Sequence, residues 1–346
     1  MASEDLDCYG GGVSLARGDA ASAEAFAQMQ ATFGKTVVVD SGLPGIDTRM
    51  AFPRHFRRPI ITAAPDGVGT KLIYAAACGI PGSVGIDLVA MCADDQARWD
   101  IIPISFSVYR GTNTIDPEVF AQVTKGVVEG CKLAGGIPYI SGETAEMPGF
   151  YVDSHYELVG VCNGVHDFGK LRRGGDIRDG DLLVSLPSKG GGSNGFGEIR
   201  LAFPPDEVAA GRVSLTPEEV LRPTPIYTVP VLKANAAFPS IRGWAHITGG
   251  GLGERGKLAH ILPAGLCATL DRKSWEVPVI FRKVQEVGGT SDKKMFSIFN
   301  MGLMMVAVVS KKDAARLVRF LEGLGYAPSI VGRVEKQKGT KKVVVA

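Results

Sequence analysis

The chain has 346 residues, of which 45% are apolar and 21% charged, a composition typical of folded globular proteins that excludes a disordered chain. This length exceeds what one ordinary hydrophobic core accommodates, so we expect two domains. With 38 basic and 36 acidic residues, the net charge is only +2 and gives no overall field that would attract nucleic acid or a membrane surface.

The first half of the chain predicts alternating helices and strands. The helix after Asp116 has the clearest signals, because Asp116 suits the N-cap, Pro117 suits the first helical position and Gly135 ends the pattern. Its apolar face recurs at four-residue spacing, through Val119, Val123, Val127 and Cys131. In chain order, the predicted elements are a helix near 22–33, a strand at 59–64, helices from 71 and from 85, a strand at 103–109, the helix from 117, and strands at 138–141 and 157–164.

A polar stretch at 170–181 predicts a domain boundary, which divides the chain into residues 1–170 and 171–346. The expected elements of the second half are a strand at 181–186, a glycine loop at 190–195, and a βαβ-like run of strand 301–309, helix 311–324 and strand 329–334. The order of elements therefore predicts an α/β (α+β) fold.

The cysteines and the N-terminus indicate an intracellular protein. The six cysteines stand singly, at positions 8, 78, 92, 131, 162 and 267. This spacing argues against a zinc site or a disulfide framework and favours reduced, buried thiols. The first residues are acidic and lack the pattern of a signal peptide, and no apolar run is long enough to span a membrane, so we expect a cytoplasmic location.

Glycine is over-represented, with 45 residues, almost twice the usual share of roughly 7%. One glycine-rich segment, Asp-Gly-Val-Gly-Thr-Lys at 66–71, lies between a predicted strand and a predicted helix. The backbone of Gly67, Gly69 and Thr70 could enclose a phosphate, Lys71 could add a positive charge, and Asp66 could hold a divalent cation. The spacing fits neither a P-loop nor a dinucleotide-binding motif, and a purely structural turn is an equally good interpretation.

Further carboxylates occur near the predicted ends of helices and strands. These are Asp87, Asp94, Asp95, Glu143 and Glu146. Asp87 and Asp94 are seven residues apart, so a continuous helix would place them on one face. Carboxylates of this kind can hold a magnesium ion bound to a nucleotide, but they can also cap helices. For Asp87 both interpretations stay open.

Seven segments together resemble the AIR synthetase family, phosphoribosylformylglycinamidine cyclo-ligase, in order and in spacing. They are Asp66–Leu72, Gly85–Cys92, Gly142–Gly149, Ser193–Gly195, Pro223-Thr224 with Ile226-Tyr227, His246–Gly251 and Phe299–Gly302. The resemblance covers the chain from about Tyr9 to the C-terminus, and it extends to a superfamily that includes formylglycinamidine amidotransferase and selenophosphate synthetase.

The resemblance implies a function, cofactors and an assembly. Family members close an imidazole ring at the expense of ATP in purine synthesis, and they form homodimers in which the N-terminal sheets join into a barrel, flanked by C-terminal α/β domains. ATP and Mg²⁺ are the implied cofactors. The implied nucleotide or phosphate contacts are Gly67, Gly69, Thr70, Lys71, Glu143, Thr144, Ser193 and Asn194, and the implied metal ligands are Asp66, Asp94 and Asp95.

The sequence departs from the family pattern at positions expected to face ligands. Gly192 stands where the family has a histidine, so the catalytic residue is left unassigned. Ile102 replaces a glutamate, and Met304 replaces a glycine. The other departures are Pro44 in the flexible lid, Asp94 in place of asparagine, Trp99 in place of a small residue and Pro225 in place of a basic one.

These departures leave two hypotheses open. The chain is either an active cyclo-ligase or a catalytically degenerate paralogue kept as a structural, assembly or nucleotide-sensing subunit. Gly192 and Ile102 are the residues that separate them. His246, in the His-Ile-Thr-Gly-Gly-Gly turn, is expected to stabilise that turn, and the resemblance also makes it a candidate site residue.

Overall fold

The fold is described here from a computed structural model, for residues 13–39, 48–53, 55–152 and 154–346. The predicted alternation of helices and strands in the first half is confirmed. Its elements are α1 (Leu15–Met29), β1 (Val37–Val39), β2 (Thr48–Met50), β3 (Pro59–Gly67), α2 (Lys71–Cys78), α3 (Gly82–Ala97), β4 (Ile102–Thr112), α4 (Pro117–Leu133), β5 (Tyr139–Glu146) and β6 (Tyr156–Asp167).

The second half adds a larger set of shorter helices around a second sheet. Its elements are β7 (Leu182–Pro187), α5 (Phe196–Ala202), α6 (Pro205–Ala209), α7 (Pro217–Val220), α8 (Thr228–Ala237), β8 (Ile241–His246), α9 (Lys257–Ile261), β9 (Leu266–Leu270), α10 (Val279–Gly288), α11 (Asp292–Ile298), β10 (Leu303–Val309), α12 (Lys311–Gly323), β11 (Ser329–Lys336) and β12 (Val343–Val345). Within the described ranges, no helix has the length and apolar character needed to cross a bilayer.

Two local predictions need correction. The first helix begins at Leu15 rather than near residue 22, because Ser14 caps it by accepting a hydrogen bond from the Arg17 N–H. Strand β3 continues to Gly67, so Asp66 lies in a strand and not in a loop. The reason is the pairing of β3 with β6, which the local sequence does not reveal.

A four-stranded sheet organises the N-terminal half, in the order β3-β6-β4-β5. Strands β4 and β5 are parallel and are joined by α4, whose predicted start is confirmed: the Asp116 side chain accepts hydrogen bonds from the backbone N–H groups of Glu118 and Val119. Helices α3 and α4 cover one face. The opposite face is partly exposed and includes Ile61, which is 63% exposed.

Helices α3 and α4 approach each other through glycines. A Cβ at Gly126 would lie 2.0 Å from the Gly82 carbonyl oxygen, and one at Gly85 would lie 2.3 Å from the Val123 carbonyl oxygen. Only glycine permits this backbone contact. The close crossing brings α3 against the sheet and fixes the position of the aspartates that it carries.

The C-terminal sheet has the order β12-β9-β11-β7-β10-β8. Alternate side chains of β10 point to opposite faces of this sheet. Met305 and Ala307 pack in the hydrophobic cluster that includes residues of α8 and α12, whereas Val306 and Val308 pack in the cluster on the other face. Both faces are therefore covered. The predicted βαβ-like order is confirmed with one addition, since β7 is inserted between β10 and β11 and is antiparallel to both.

Two buried aspartates of α3 join the halves. The Asp87 carboxylate accepts hydrogen bonds from the Thr224 backbone N–H and hydroxyl, at 2.7 and 2.5 Å. The Asp94 carboxylate accepts from the Tyr227 N–H at 3.0 Å and the Thr228 hydroxyl at 2.7 Å, at the start of α8. Both aspartates lie on one face of α3, as their spacing predicted, and that face contacts the second half of the chain.

The α3–α4 crossing predicts a selective effect of alanine at Gly126. Its methyl group would meet backbone atoms that cannot move aside, so we expect Gly126→Ala to lower the free energy of unfolding by about 1–3 kcal/mol or more. Gly323→Ala is the matched control, because no atom lies within 4 Å of the new methyl group in α12, and alanine is the better helix former. Denaturant titration of both variants measures the difference. Equal stability of the two variants would contradict the close crossing.

Asp94 predicts a pH dependence of stability. Burial raises the pKa of Asp94 from 3.8 to about 6, against the opposing effects of His246 and the hydrogen bonds from Thr228 and Tyr227. Between about pH 4 and 6 the folded state binds more protons than the unfolded state, so this group's contribution to the free energy of unfolding falls as pH rises through that window. In the wild type, Asp94 should lower the free energy of unfolding by on the order of 2–3 kcal/mol across this window. We expect Asp94→Asn to abolish this pH-dependent loss.

The measurement is denaturant unfolding of both proteins from pH 4 to pH 7. Asp19→Asn, a change at an exposed helical position, serves as the control. Parallel stability profiles for the wild type and Asp94→Asn would show that Asp94 titrates normally in the folded protein.

Candidate active site between the two domains

Four elements bring five charged or titratable side chains together at the junction of the two halves. Asp66 comes from the end of β3, Asp95 from the last turn of α3 and Arg98 from its C-cap, His246 from the end of β8 and Lys257 from the start of α9. We call these residues the Asp95 cluster. The Lys257 Nζ lies 2.6 and 2.7 Å from the two oxygens of Asp95. His246 Nδ1 lies 3.0 Å from Asp95 Oδ1, and Arg98 Nε lies 3.2 Å from the same oxygen.

The surroundings shift the pKa values of the Asp66 and Asp95 carboxyl groups in opposite directions. Burial alone would raise the pKa of Asp95, but hydrogen bonding from His246 and the charges of Lys257 and Arg98 outweigh it and hold that pKa well below its ordinary value. Burial raises the pKa of Asp66; the Gly67 N–H opposes this effect and the charge of Asp95 adds to it. Asp95 is therefore a fixed anion, whereas Asp66 takes up a proton more readily.

The cluster is open to solvent on one side. The side chains of Asp95 and Lys257 are 23% and 22% exposed. His246 is fully buried, and its Nε2 has no hydrogen-bond partner among the described residues. Burial lowers the pKa of Lys257, with Asp95 acting against this effect. A ligand can thus reach the Lys257 ammonium and the Asp95 carboxylate from solvent, whereas His246 is buried beneath them.

The glycine loop at 190–195 adjoins this cluster. The Asn194 side-chain amide contacts the sulfur of Met91 at 3.8 Å, one helical turn before Asp95 on α3. The Ser193 hydroxyl is buried without a hydrogen-bond partner in the described part of the chain. Of the predicted site residues, the structure therefore brings Asp66 and Asp95 together and places Asn194 against α3, one turn before Asp95.

Lys71 lies elsewhere and is fully buried. Its Nζ lies 2.7 Å from Asp87 Oδ2 and donates hydrogen bonds to the carbonyl oxygens of Arg222 and Gly192, at 2.8 and 3.3 Å. Burial lowers the pKa of Lys71, and Asp87 opposes the shift. The geometry favours a role for Lys71 in joining the domains over contact with a phosphate.

The other predicted residues are dispersed. Gly69 and Thr70 line a separate cavity of about 300 Å³. Glu143 lies on β5, opposite Tyr109 of β4, on the open face of the N-terminal sheet. Thr144 lines another cavity, and Gly67 is paired within the sheet. Their roles as nucleotide contacts stay predictions.

The arrangement does not fit the magnesium ion that the resemblance implies. Both oxygens of Asp95 are in contact with the Lys257 ammonium, and the Asp94 carboxylate is buried at the start of α8. Across the described ranges, no three His, Cys, Asp or Glu side chains are grouped closely enough to hold a metal. The Lys257 ammonium thus takes the place beside both Asp95 oxygens that a bound cation would need.

Two of the departures from the family pattern have clear surroundings. The Met304 side chain is buried, and its methyl carbon lies 3.1 Å from the position that a Cβ at Gly192 would take. Gly192 also has a φ of +64°, which disfavours any larger residue. The Trp99 ring stacks against the Arg98 guanidinium at 4.1 Å and so helps to hold Arg98 beside Asp95. Pro44 lies outside the described residues.

Lys257 and Arg98 are the site residues that sequence reasoning missed. Arg98 follows Asp95 by three residues on a helix, a spacing that places both side chains on one face. Lys257 is the first residue of a helix after a run rich in glycine, at 249–256. Either signal was available, but neither identifies the partner in the other half of the chain.

Comparisons with known proteins agree with this architecture. Residues 58–166 match the family model "AIR synthase related protein, N-terminal domain", and residues 178–345 match "AIR synthase related protein, C-terminal domain". Phosphoribosylformylglycinamidine cyclo-ligase of Desulfotalea psychrophila is 37% identical over 333 residues, 94% of this chain and 92% of the relative. The corresponding protein of Alkaliphilus metalliredigens is 36% identical over 352 residues, covering 100% and 99%.

Among solved structures, thiamine-monophosphate kinase from Stenotrophomonas maltophilia matches with a TM-score of 0.67 and 17% identity, over 93% of this chain and 95% of that one. The hydrogenase maturation protein HypE in complex with ATP matches with a TM-score of 0.65 and 13% identity, over 92% and 88%. These two similarities establish the two-domain α/β fold. The family matches and the full-length relatives go further: the chain belongs to the AIR synthetase, or phosphoribosylformylglycinamidine cyclo-ligase, family.

Proposed function

We propose that this chain catalyses the ATP-dependent ring closure of formylglycinamidine ribonucleotide, with the Asp95 cluster as the reacting site. The observation that carries the proposal is the contact of Asp95 with Lys257, Arg98 and His246, at a partly exposed position where both domains supply side chains. Relatives named as cyclo-ligases that match nearly the whole chain support it. Nucleotide binding is supported by the structural similarity to a protein solved with ATP.

In the proposed reaction ATP phosphorylates the formamide oxygen, an amidine nitrogen attacks that carbon, and phosphate leaves. Lys257 is the exposed cation that contacts the phosphoryl group, and Asp95 holds it in place. A fixed positive charge at the transferring phosphoryl group lowers the barrier because it is already oriented. Asp66 has a raised pKa and is the carboxylate suited to accept the proton that the attacking nitrogen releases.

The open face of the N-terminal sheet supports the proposal of a homodimer. This face carries apolar side chains, including the exposed Ile61 and the partly exposed Val161, beside the exposed Glu143. A second copy of the sheet would cover this face, as the family resemblance implies.

A catalytically degenerate subunit is the second candidate. It is favoured by the Met304 side chain, which fills the space beside Gly192, and by the occupation of both Asp95 oxygens by Lys257. Such a subunit would keep the fold and the domain junction without the reaction.

Turnover of formylglycinamidine ribonucleotide with ATP separates the two candidates. We expect the wild type to release the ring product and ADP in equal amounts. Lys257→Met should lower kcat/KM by about 10²–10³, as expected for loss of a group that stabilises transition-state charge. Lys233→Met removes an exposed lysine of α8 and should leave the rate unchanged. A folded wild type without turnover would refute the enzyme and favour the degenerate subunit, and calorimetry with ATP would then show whether that subunit senses nucleotide.

Lys257 also predicts an unusual response to divalent cations. We expect wild-type protein to bind Mn²⁺ only weakly, because the ammonium neutralises Asp95. Lys257→Met removes that charge and leaves carboxylate oxygens of the kind such cations prefer, so Mn²⁺ affinity should rise about tenfold or more. Electron paramagnetic resonance of free Mn²⁺ measures this, with Lys233→Met as control. Equal Mn²⁺ affinity in the wild type and in Lys257→Met would show that the Lys257 ammonium does not block a cation site at Asp95.

A further inference from the structure

The polar segment at 168–181, which joins the two halves of the chain, is packed against both of them. A domain boundary in such a segment is expected to act as a free hinge. The Gly174 N–H instead donates to the Arg242 carbonyl oxygen at 3.2 Å, and Arg242 Nε lies 2.7 Å from Asp181 Oδ2. Arg172, within the same segment, contacts both halves.

Arg172 reaches the second half through two backbone carbonyl groups. Its Nη1 donates to the Ile241 carbonyl oxygen at 2.5 Å, at the start of β8, and its Nη2 donates to the Asn235 carbonyl oxygen at 2.8 Å, in α8. The Asn235 side chain is buried and accepts a hydrogen bond from the indole of the buried Trp244 at 2.9 Å. The guanidinium of Arg172 is therefore bound to backbone that the core of this half holds in place.

Arg172 also contacts the end of α3 in the first half. Its backbone N–H donates to the Trp99 carbonyl oxygen at 3.3 Å, and its Nε lies 3.4 Å from Asp100 Oδ2. The other oxygen of Asp100 accepts from the Asn235 side-chain amide at 3.1 Å. A single carboxylate thus contacts the linker and the second half together.

Asp100 ends α3 in a backbone conformation that few residues adopt. Its φ is +67°, in the left-handed region, which aspartate and asparagine tolerate better than most other residues with a side chain. Its N–H donates to the Ala97 carbonyl oxygen at 2.9 Å and closes the last turn of the helix. Arg98 and Trp99 directly precede it. A contact that holds Asp100 therefore fixes the backbone from which the Arg98 guanidinium reaches Asp95.

We propose that Arg172 is a positioning residue, which ties the end of α3 to the second half of the chain and thereby holds Arg98 beside Asp95. Arg172 lies outside the Asp95 cluster, and its partners are one carboxylate and three backbone carbonyl groups. The guanidinium suits such a bridge because it donates in several fixed directions. The consequence for turnover rests on the proposed function, whereas the placement of Arg98 does not.

Hydrogen–deuterium exchange measures this placement without any substrate. In Arg172→Met the backbone amides of Arg98, Trp99 and Asp100 should exchange about tenfold faster or more, because the last turn of α3 opens more often without the tether. The amides of α4 should be unaffected. Arg173→Met, at the exposed neighbouring position, is the matched control and should exchange like the wild type.

Kinetics with formylglycinamidine ribonucleotide and ATP test the positioning role. Arg172→Met should lower kcat/KM about tenfold to a hundredfold, since a misplacement of about 1 Å can lower a rate about a hundredfold. If Arg172 acts through Arg98, the loss should be much smaller when Arg172→Met is made in an Arg98→Met background. A role in stability alone would lower kcat/KM by the same factor in both backgrounds.

Asp100→Asn keeps the test decisive where Arg172→Met does not fold. Asparagine tolerates the left-handed conformation and removes only the charge, so the end of α3 should exchange faster than in the wild type, by a smaller factor than in Arg172→Met. Unchanged exchange in both variants would overturn the tether. Faster exchange with equal losses of kcat/KM in the two backgrounds would overturn the action through Arg98. A wild type without turnover would refute the proposed function, and the exchange rates alone would then decide whether the tether exists.

Discussion

The buried carboxylate of Asp87 must be neutralised, and the relation between the two domains depends on how this is done. Lys71 supplies the charge from within the N-terminal half, while Thr224 supplies two hydrogen bonds from the other half. Removing either partner of such a buried pair leaves an uncompensated charge, which is far more destabilising than the pair is stabilising. Lys71 also holds the carbonyl oxygen of Gly192, so the glycine loop takes its position from the same ion pair.

The candidate site follows from this junction. Helix α3 carries Asp87, Asp94 and Asp95, and each faces a different environment. The first two are buried against the second domain, whereas Asp95, at the end of the helix, remains partly exposed. Because the first two fix the helix against the second domain, Lys257 and His246 meet Asp95 with short contacts. The buried contacts of Asp87 and Asp94 thus determine where Asp95 lies relative to Lys257 and His246.

Sequence reasoning reached the fold because the fold depends on local patterns. The Asp116 cap, the apolar spacing of α4 and the glycines that end helices act over a few residues, and all are visible in the chain. The same reasoning placed Asp87 and Asp94 on one face of a helix, but it could not determine what that face contacts. Lys71 shows the limit most clearly: a lysine after a glycine-rich turn suggests a phosphate site, and only the tertiary contact with Asp87 and Arg222 shows it to be enclosed. Lys257 was missed for the same reason, because its contact with Asp95 joins residues far apart in the chain.

The insertion of β7 between β10 and β11 has a consequence for synthesis of the chain. The strands of the N-terminal sheet all lie between residues 59 and 167, so that sheet can form as soon as its last strand leaves the ribosome. Strand β7, at 182–187, finds its partners only after residues 303–336 have been made. Pairings between such distant segments form slowly. Until those residues are made β7 has no neighbouring strand, so we expect the second domain to close over Lys71 and Asp87 as a late event of folding.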